Sequence, residues 1–361
     1  MTKLYISPDL GTNSSGNLVS LHELEALQSL GNNVIQIGYD QMNPVKYGLP
    51  DTPFLQDYLT MDKIASLNIQ KGQIDICHLY ASPFTNTIRY LKAIGIKIIL
   101  TIAAHDRTES MNEFENLGFE YPYIHVKNKE LWKIYNGGVK EANIVITPSK
   151  VSAEFLKKEG VEENRIRIIP HGTDIPTTDK IKSTPEFLHD KFTVGYLGKY
   201  GPDKGLKYLI QAWSKLDYKD SALLFGGKYS KDLEPFIKKF STGGIFRLLG
   251  WIENIETFYN MCSIYVQPSV TEAFGIEILE AMSYGKPVIA SDGAGASELI
   301  ENGKNGFVTS KRDWWSIADK IAALKSHPEE LIQMGKNARK IAEEYSWDKI
   351  KGKYINVYSS I

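Results

Sequence analysis

Short apolar runs, most bounded by Gly, Pro, Asn or Asp, alternate with longer stretches of helical periodicity, and the alternation starts afresh near Phe192. Runs this short and apolar read as strands buried on both faces. In the first half they are Leu4–Ser7, Asn33–Gly38, Ile74–Tyr80, Lys97–Ile102, Ile144–Pro148 and Arg167–Pro170. In the second half they are Phe192–Gly198, Ala222–Gly226, Ile245–Leu249, Ile264–Gln267 and Val288–Ser291. Helices are expected over Asn17–Leu30, Leu206–Lys215 and Ile276–Tyr284. The first carries Leu18, Leu21, Leu24 and Leu27 at a spacing of three and stops at Gly31; the last is closed by Gly285 and Lys286-Pro287. Strand–helix alternation of this kind builds parallel sheets covered on both faces. The polar stretch Thr173–Lys191, with Pro176 and Pro185, reads as a linker. The fold class is therefore α/β, two doubly wound domains in tandem. Such sheets bind ligands beyond the carboxyl ends of their strands, here in a central cleft that both domains would face.

Charge narrows the function. The 361 residues include 42 Lys and Arg against 43 Asp and Glu, a net charge of −1. A dedicated nucleic-acid binder would carry a basic surplus, so no nucleic acid partner is expected and any anion site has to be local. The two cysteines, Cys77 and Cys262, lie in apolar contexts that read as buried strands. They make neither a disulfide framework nor a zinc site, which suits a reducing cytosol. The segment from Met1 to Pro8 is too short and polar for a signal peptide. The most apolar stretch, Ile96 to Ala104, spans nine residues, against about 20 for a membrane-crossing helix. A cytoplasmic location follows as the expectation.

The chemistry concentrates in Pro268-Ser269-Val270-Thr271-Glu272-Ala273-Phe274-Gly275-Ile276-Glu277-Ile278-Leu279-Glu280-Ala281-Met282. A strand ends at Gln267, a loop carries Glu272, and a helix carrying Glu280 starts near Gly275. The N–H groups of Phe274, Gly275 and Ile276 at the helix start would cradle an anion, aided by the helix dipole. Two carboxylates flanking an anion cradle suit a nucleotide sugar: one holds sugar hydroxyls, the other ribose hydroxyls. A second constellation is Gly195-Tyr196-Leu197-Gly198-Lys199-Tyr200-Gly201-Pro202-Asp203-Lys204-Gly205. It places Lys199 and Lys204 between a strand and a helix, where two ammonium groups suit a diphosphate leaving group. It is neither a Walker loop nor a dinucleotide fingerprint.

The stretch from Glu272 to Glu280 resembles the glutamate–seven residues–glutamate motif of the retaining glycosyltransferases with the GT-B fold, the large group 1 family also called family four. The resemblance continues through Glu280-Ala281-Met282-Ser283-Tyr284-Gly285-Lys286-Pro287-Val288-Ile289-Ala290-Ser291, Glu298-Leu299-Ile300 and Asn305-Gly306-Phe307-Val308. It extends over essentially the whole chain and is weakest from Gln41 to Gln73. It implies two tandem Rossmann-like domains. The first, 1–175, would take the acceptor; 176–191 is the linker; 192–345 would bind the nucleotide sugar; and 346–361 is a last helix crossing back to the first domain. Lys199 stands where the family commonly has arginine. In Asp9-Leu10-Gly11-Thr12-Asn13-Ser14-Ser15-Gly16-Asn17, Gly16 matches one of the two glycines that close over the donor phosphate, with Ser15 in place of the other. His105, after the strand Lys97–Ile102, resembles the family's histidine facing the donor sugar, and Asp106 would orient it or meet the acceptor. Gly250-Trp251-Ile252 resembles the base-binding edge, with backbone groups of Ile252 on the nucleobase. Ile168-Ile169-Pro170-His171-Gly172-Thr173-Asp174 resembles the closing strand of the first domain. Lys228, at another strand end, would add charge near the phosphates.

The resemblance implies transfer of a hexose from a UDP- or GDP-linked sugar to an acceptor hydroxyl with retention. Glu272, His105, Lys199 and Lys204 would serve catalysis. Gly16, Ile252, Phe274, Gly275, Ile276 and Glu280 would serve donor binding with them. The path is front-face, the leaving phosphate helping to deprotonate the acceptor. No Asp-x-Asp occurs, so no metal and no cofactor is expected, and lysines and backbone N–H groups would meet the diphosphate charge. The rival readings are a GT-B epimerase or phosphorylase and a non-catalytic nucleotide-sugar binder. The acceptor would be a glycan, a lipid or another hydroxyl compound. Lys127, Lys129, Lys133 and Lys140, set among Leu131, Trp132, Ile134 and Tyr135, read as a helix with a solvated lysine face or as a peripheral membrane contact.

Overall fold

The computed structural model describes residues 2–7, 15–31, 33–37, 74–80, 85–116, 118, 137–177, 188, 191–227, 237 and 245–361. The loop 8–14, the stretch 38–73, Lys127 to Tyr135 and Lys228 lie outside them. The chain forms two compact units. One comprises 1–104, 121–171 and 347–361, the other 105–120 and 172–346.

The first unit is a parallel sheet of β1 (Thr2–Ile6), β2 (Asn33–Ile37), β3 (Ile76–Tyr80), β4 (Lys97–Thr101), β5 (Ile144–Thr147) and β6 (Ile166–Ile168), in the order β2-β1-β3-β4-β5-β6. Helices α1 (Ser15–Gln28) and α2 (Thr85–Ala93) belong to it. Its core joins Leu4, Ile6, Leu79, Ile98, Leu100 and Val145. The expected leucine stripe of α1 is corrected by the structure: Leu24 and Leu27 are buried, but Leu21 is 40 % exposed. A spacing of three falls behind a helix of 3.6 residues per turn, so the stripe drifts off the packed face. The buried positions include Val19, Ser20 and Glu23. Ser20 meets Ser7 at 2.8 Å, and Glu23 accepts from the Tyr5 hydroxyl at 2.8 Å.

The second unit holds β7 (Phe192–Leu197), β8 (Ser221–Gly226), β9 (Ile245–Gly250), β10 (Ile264–Gln267), β11 (Val288–Ser291) and β12 (Gly306–Thr309), in the order β12-β11-β10-β7-β8-β9. Every described pairing in both sheets is parallel. With α3 (Arg107–Asn116) and α4 (Lys150–Lys158) preceding them, the helices of the second half are α5 (Leu206–Leu216), α6 (Ile255–Met261), α7 (Ile276–Ser283), α8 (Trp314–Ser326), α9 (Pro328–Glu344) and α10 (Trp347–Ser359). Alternate strand residues enter separate cores. Val194, Leu223, Phe225 and Ile264 pack with Leu209 and Trp213 of α5 and Ile317 and Ile321 of α8. Ala222, Leu224, Tyr265 and Val288 pack with Phe258 of α6, Leu279 and Met282 of α7 and Ala338 of α9. That two-faced burial is the doubly wound arrangement.

Cys262 also departs from expectation. It is buried, but it caps the end of α6 rather than lying in a strand, its N–H donating to the Tyr259 carbonyl at 3.0 Å. Edge strand β12 was not legible as a strand because its four residues begin with glycine. Gly306 is needed there, since a Cβ would stand 2.3 Å from the Val288 carbonyl oxygen.

Candidate active site

The second sheet reverses its strand order between β7 and β10, which pair side by side. In such a sheet the crevice outside the carboxyl ends of those two strands is where a ligand seats. Gly198–Gly205 leaves β7 there, and Pro268–Gly275 leaves β10.

The two segments are packed backbone to backbone. The Val270 N–H donates to the Asp203 carbonyl at 2.7 Å. Gly205 has φ +69°, and a Cβ on it would stand 1.9 Å from the Pro268 carbonyl oxygen. Only glycine permits this approach. The loop carrying Glu272 is also fixed from its other side. Its N–H donates to the Gly293 carbonyl at 2.9 Å, and its carbonyl accepts from the Gly295 N–H at 3.1 Å. Gly275, at φ +86°, then turns the chain into α7.

This geometry brings Lys204 and Glu272 into direct contact, the ammonium donating to Glu272 Oε2. Burial alone would lower the Lys204 pKa, but the carboxylates of Glu272, Asp203 and Glu277 outweigh it and hold the ammonium charged, above its ordinary value. Glu280 projects from α7 with Oε2 accepting from the Tyr259 hydroxyl at 2.8 Å. Burial raises its pKa and Asp174 adds to the shift, against the hydrogen bond from Tyr259. Phe274 is 2 % exposed, so its ring belongs to the core and only its backbone serves the site. Ile276 opens α7, half-buried. In that first turn the Ile278 N–H donates to the Gly275 carbonyl at 3.1 Å, and helix geometry gives the N–H groups ahead of it no carbonyl within the helix. Ile252 follows β9, its Cγ1 2.7 Å from where a Cβ on Gly226 would stand.

His105 precedes α3, and both group with the second unit. Burial lowers the imidazole pKa, and Arg107 adds to this. Its field is shared with Glu272, Lys204 and Asp203, so it stands in electrostatic reach of the Lys204–Glu272 pair as a neutral ring. Asp106 caps α3, Oδ1 accepting from the N–H groups of Thr108 at 3.0 Å and Glu109 at 3.1 Å. Lys199 is exposed on the loop leaving β7, its carbonyl accepting from the Tyr196 hydroxyl at 3.5 Å. Gly16 belongs to the first unit, in the first turn of α1. The residues brought together are thus Lys204, Glu272, Glu280, the α7 start and His105.

Three further participants carry no motif in the sequence. Asp203 accepts from Ser110 Oγ of α3 at 2.8 Å and so ties that helix to the lysine turn. Glu113 of α3, buried, accepts from Arg312 Nε at 2.6 Å and pairs with Lys207 at 2.9 Å, anchoring the same helix. Glu277 lies on α7 three positions before Glu280; that spacing, which places both on one helix face, was the available signal.

Comparison with known proteins gives a consistent family. Residues 177–341 match the family model described as Glycosyl transferases group 1, and residues 21–176 match Glycosyltransferase Family 4. The chain is 31 % identical over 168 residues to an uncharacterized glycosyltransferase of Methanocaldococcus jannaschii, covering 46 % of this chain and 47 % of that protein. It is 26 % identical over 290 residues to the N,N'-diacetylbacillosaminyl-diphospho-undecaprenol alpha-1,3-N-acetylgalactosaminyltransferase of Campylobacter jejuni, covering 77 % and 75 %. The chain spans about half the length of curated relatives it matches, 47 % of the Methanocaldococcus jannaschii protein and 45 % of the sulfoquinovosyl transferase SQD2 of Arabidopsis thaliana. Among solved structures, sucrose-phosphate synthase from Thermosynechococcus elongatus superposes with TM-score 0.77 at 18 % identity, covering 100 % of this chain and 99 % of that one. HepE of Anabaena in complex with UDP superposes with TM-score 0.71 at 18 % identity, covering 100 % of both chains. These likenesses show a shared fold.

Proposed function

This chain belongs to the group 1 glycosyl transferases, on their GT-B fold, and from that premise we propose that it moves a hexose from a nucleotide diphosphate sugar to an acceptor hydroxyl, with retention. The observation that carries the reading is the Lys204–Glu272 contact at the start of α7, with Glu280 on the same helix.

Lys204 gives one N–H to Glu272 and has two more for a phosphate oxygen. Charge developing on the departing diphosphate would be met by this ammonium, by Lys199 and by the first-turn N–H groups of α7. Glu272 would hold and polarise the donor sugar, with the neutral His105 donating to a sugar oxygen. Glu280, steadied by Tyr259, would hold the ribose, and the backbone at Ile252 the base. Gly16 would close over the phosphates, and Asp106 would orient His105 through the α3 cap. The leaving phosphate would take the acceptor proton, and no metal or cofactor is called for in this scheme.

HepE has been solved with UDP and with UDP-glucose, and a TarM variant of S. aureus with UDP, Fondaparinux and alpha-GlcNAc-glycerol. UDP sugars and a glycan acceptor, free or lipid-linked, are therefore the first substrates to try. No helix among the described residues is long and apolar enough to cross a membrane. We place the enzyme in the cytoplasm, with peripheral contact to the membrane face where the acceptor is lipid-linked.

The test is incubation with UDP-glucose or GDP-mannose and a panel of glycan acceptors, following nucleoside diphosphate release and the anomeric configuration of the product. Acceptor-dependent release with retention is expected, and Glu272→Ala should abolish transfer while donor binding persists. Wild-type rates in that variant would remove Glu272 from the mechanism. Isomerised free sugar would point to an epimerase, and binding without release to a non-catalytic protein.

A further inference from the structure

Glu277 stands in the second position of α7, the helix whose start belongs to the proposed donor site, so any role for it in binding rests on that reading of the site. Its Oε1 lies 3.7 Å from where a Cβ on Gly198 would stand, so the side chain reaches back over the glycine that follows β7. The groups around it come from every neighbouring element. Glu272 faces it from the loop, Glu280 from its own helix, Lys204 from the turn after β7, Tyr196 from β7 and Tyr265 from β10. Both tyrosines are buried, with pKa values well above the ordinary value, and keep their protons. The Tyr259 hydroxyl is directed at the Glu277 carbonyl, at 3.3 Å. The carboxyl groups of Glu272, Asp203 and Glu277 therefore crowd one ammonium, which already contacts Glu272. Burial, then Glu272 and Glu280, push the Glu277 carboxyl up to about 7, against Lys204 and its own backbone N–H.

A donor diphosphate adds two negative charges to this crowd. An ionised Glu277 would repel it; a protonated one has an O–H to give. We propose that Glu277 binds the donor in its acid form, taking one proton from solvent as the diphosphate seats and donating that hydrogen to a phosphate oxygen. Glu277 is then a donor-binding residue that makes donor affinity dependent on pH. No covalent bond changes; one proton moves from solvent to the Glu277 carboxylate.

The measurement is calorimetric binding of UDP-glucose and GDP-mannose between pH 6 and 9, in pairs of buffers with different ionisation enthalpies. Nucleotide sugars are used because a free diphosphate titrates its own terminal phosphate nearby, at about 6. Uptake rising toward one proton per site above pH 7 is expected, with affinity falling about tenfold per pH unit there. Glu277→Gln, which keeps an N–H donor in place of the acid O–H, should bind with no uptake and a flat profile. Binding without proton uptake by the wild type would overturn the proposal and leave the donor assignment intact. Equal pH slopes in wild type and Glu277→Gln would also overturn it, assigning the proton to another group such as His105. Binding of neither nucleotide sugar at any pH would overturn the donor assignment and this proposal together.

Discussion

Lys204 serves both as a donor to Glu272 and as the counter-charge for Glu272, Asp203 and Glu277. Replacing it by methionine keeps most of the length of the side chain and removes the charge. With one charged donor lost from a leaving-group site, kcat should fall by about 10²–10³. Donor affinity should fall too, because Glu272, Asp203 and Glu277 are left uncompensated. Initial rates of nucleoside diphosphate release with calorimetric affinities check this; an unchanged kcat would remove Lys204 from the chemistry. The sequence made Lys199 and Lys204 look alike, two lysines flanking one turn. The structure separates them: Lys204 is packed against Glu272, while Lys199 is exposed. Spacing along a loop cannot report which side chain turns inward, because that depends on what packs on the loop from elsewhere in the chain.

At the scale of elements, the site exists because two loops lie against each other without side chains between them. Gly205 on one loop is pressed to Pro268 on the other, and Gly293 supports the second loop from behind with a Cβ position only 2.3 Å from the Val270 carbonyl oxygen. Gly205→Ala should therefore cost more than the roughly 1–2 kcal/mol that left-handed backbone alone costs an L-residue. The variant is expected to show a lower melting temperature and lost donor binding. Full stability and affinity in Gly205→Ala would show that the two loops can separate without harm. The strand–loop–helix units on either side of this contact were legible from apolar runs and glycine stops. Helix α3 was not, since Met111 and Phe114 are its only apolar residues and make no helical stripe; it is held by ion pairs of Glu109 with Lys311 and of Glu113 with Arg312 and Lys207. Such pairs join residues far apart in sequence and leave no periodic trace.

At the scale of the whole chain, the last helix returns to the first unit and closes a buried polar cluster there. The His78 ring meets the Tyr358 hydroxyl through Nδ1 at 2.7 Å and Thr101 Oγ1 through Nε2 at 2.8 Å. Glu23 of α1 lies beside them, 3.6 Å from His78 Nε2. Burial pushes the Glu23 carboxyl up to about 8 and the His78 imidazole down to about 3, so both are neutral near pH 7. The signs differ. Glu23 keeps in the folded state a proton that the unfolded chain releases near 4.5, so its contribution is lost as pH rises toward 8. His78 refuses a proton that the unfolded chain takes near 6.5, so its contribution is lost as pH falls below that value. Above pH 6.5 the Glu23 effect stands alone. Glu23→Gln should therefore widen its melting-temperature advantage over wild type between pH 6.5 and 8.5, at about 2–4 °C per kcal/mol for a unit of this size. Parallel curves over that range would contradict the assignment.

The sequence by itself determined the two parallel α/β units, the loops that end β7 and β10, and the two motif glutamates. These depend on local periodicity, on glycine's backbone freedom and on residue types at fixed spacing, all written along a single stretch of chain. Only the tertiary structure decided that Lys204 rather than Lys199 meets Glu272, that Glu277 joins them, and that Glu23 and His78 are buried without charge. Those outcomes depend on which distant segments pack together, and the burial and neighbouring charge that fix a proton arise only when they do.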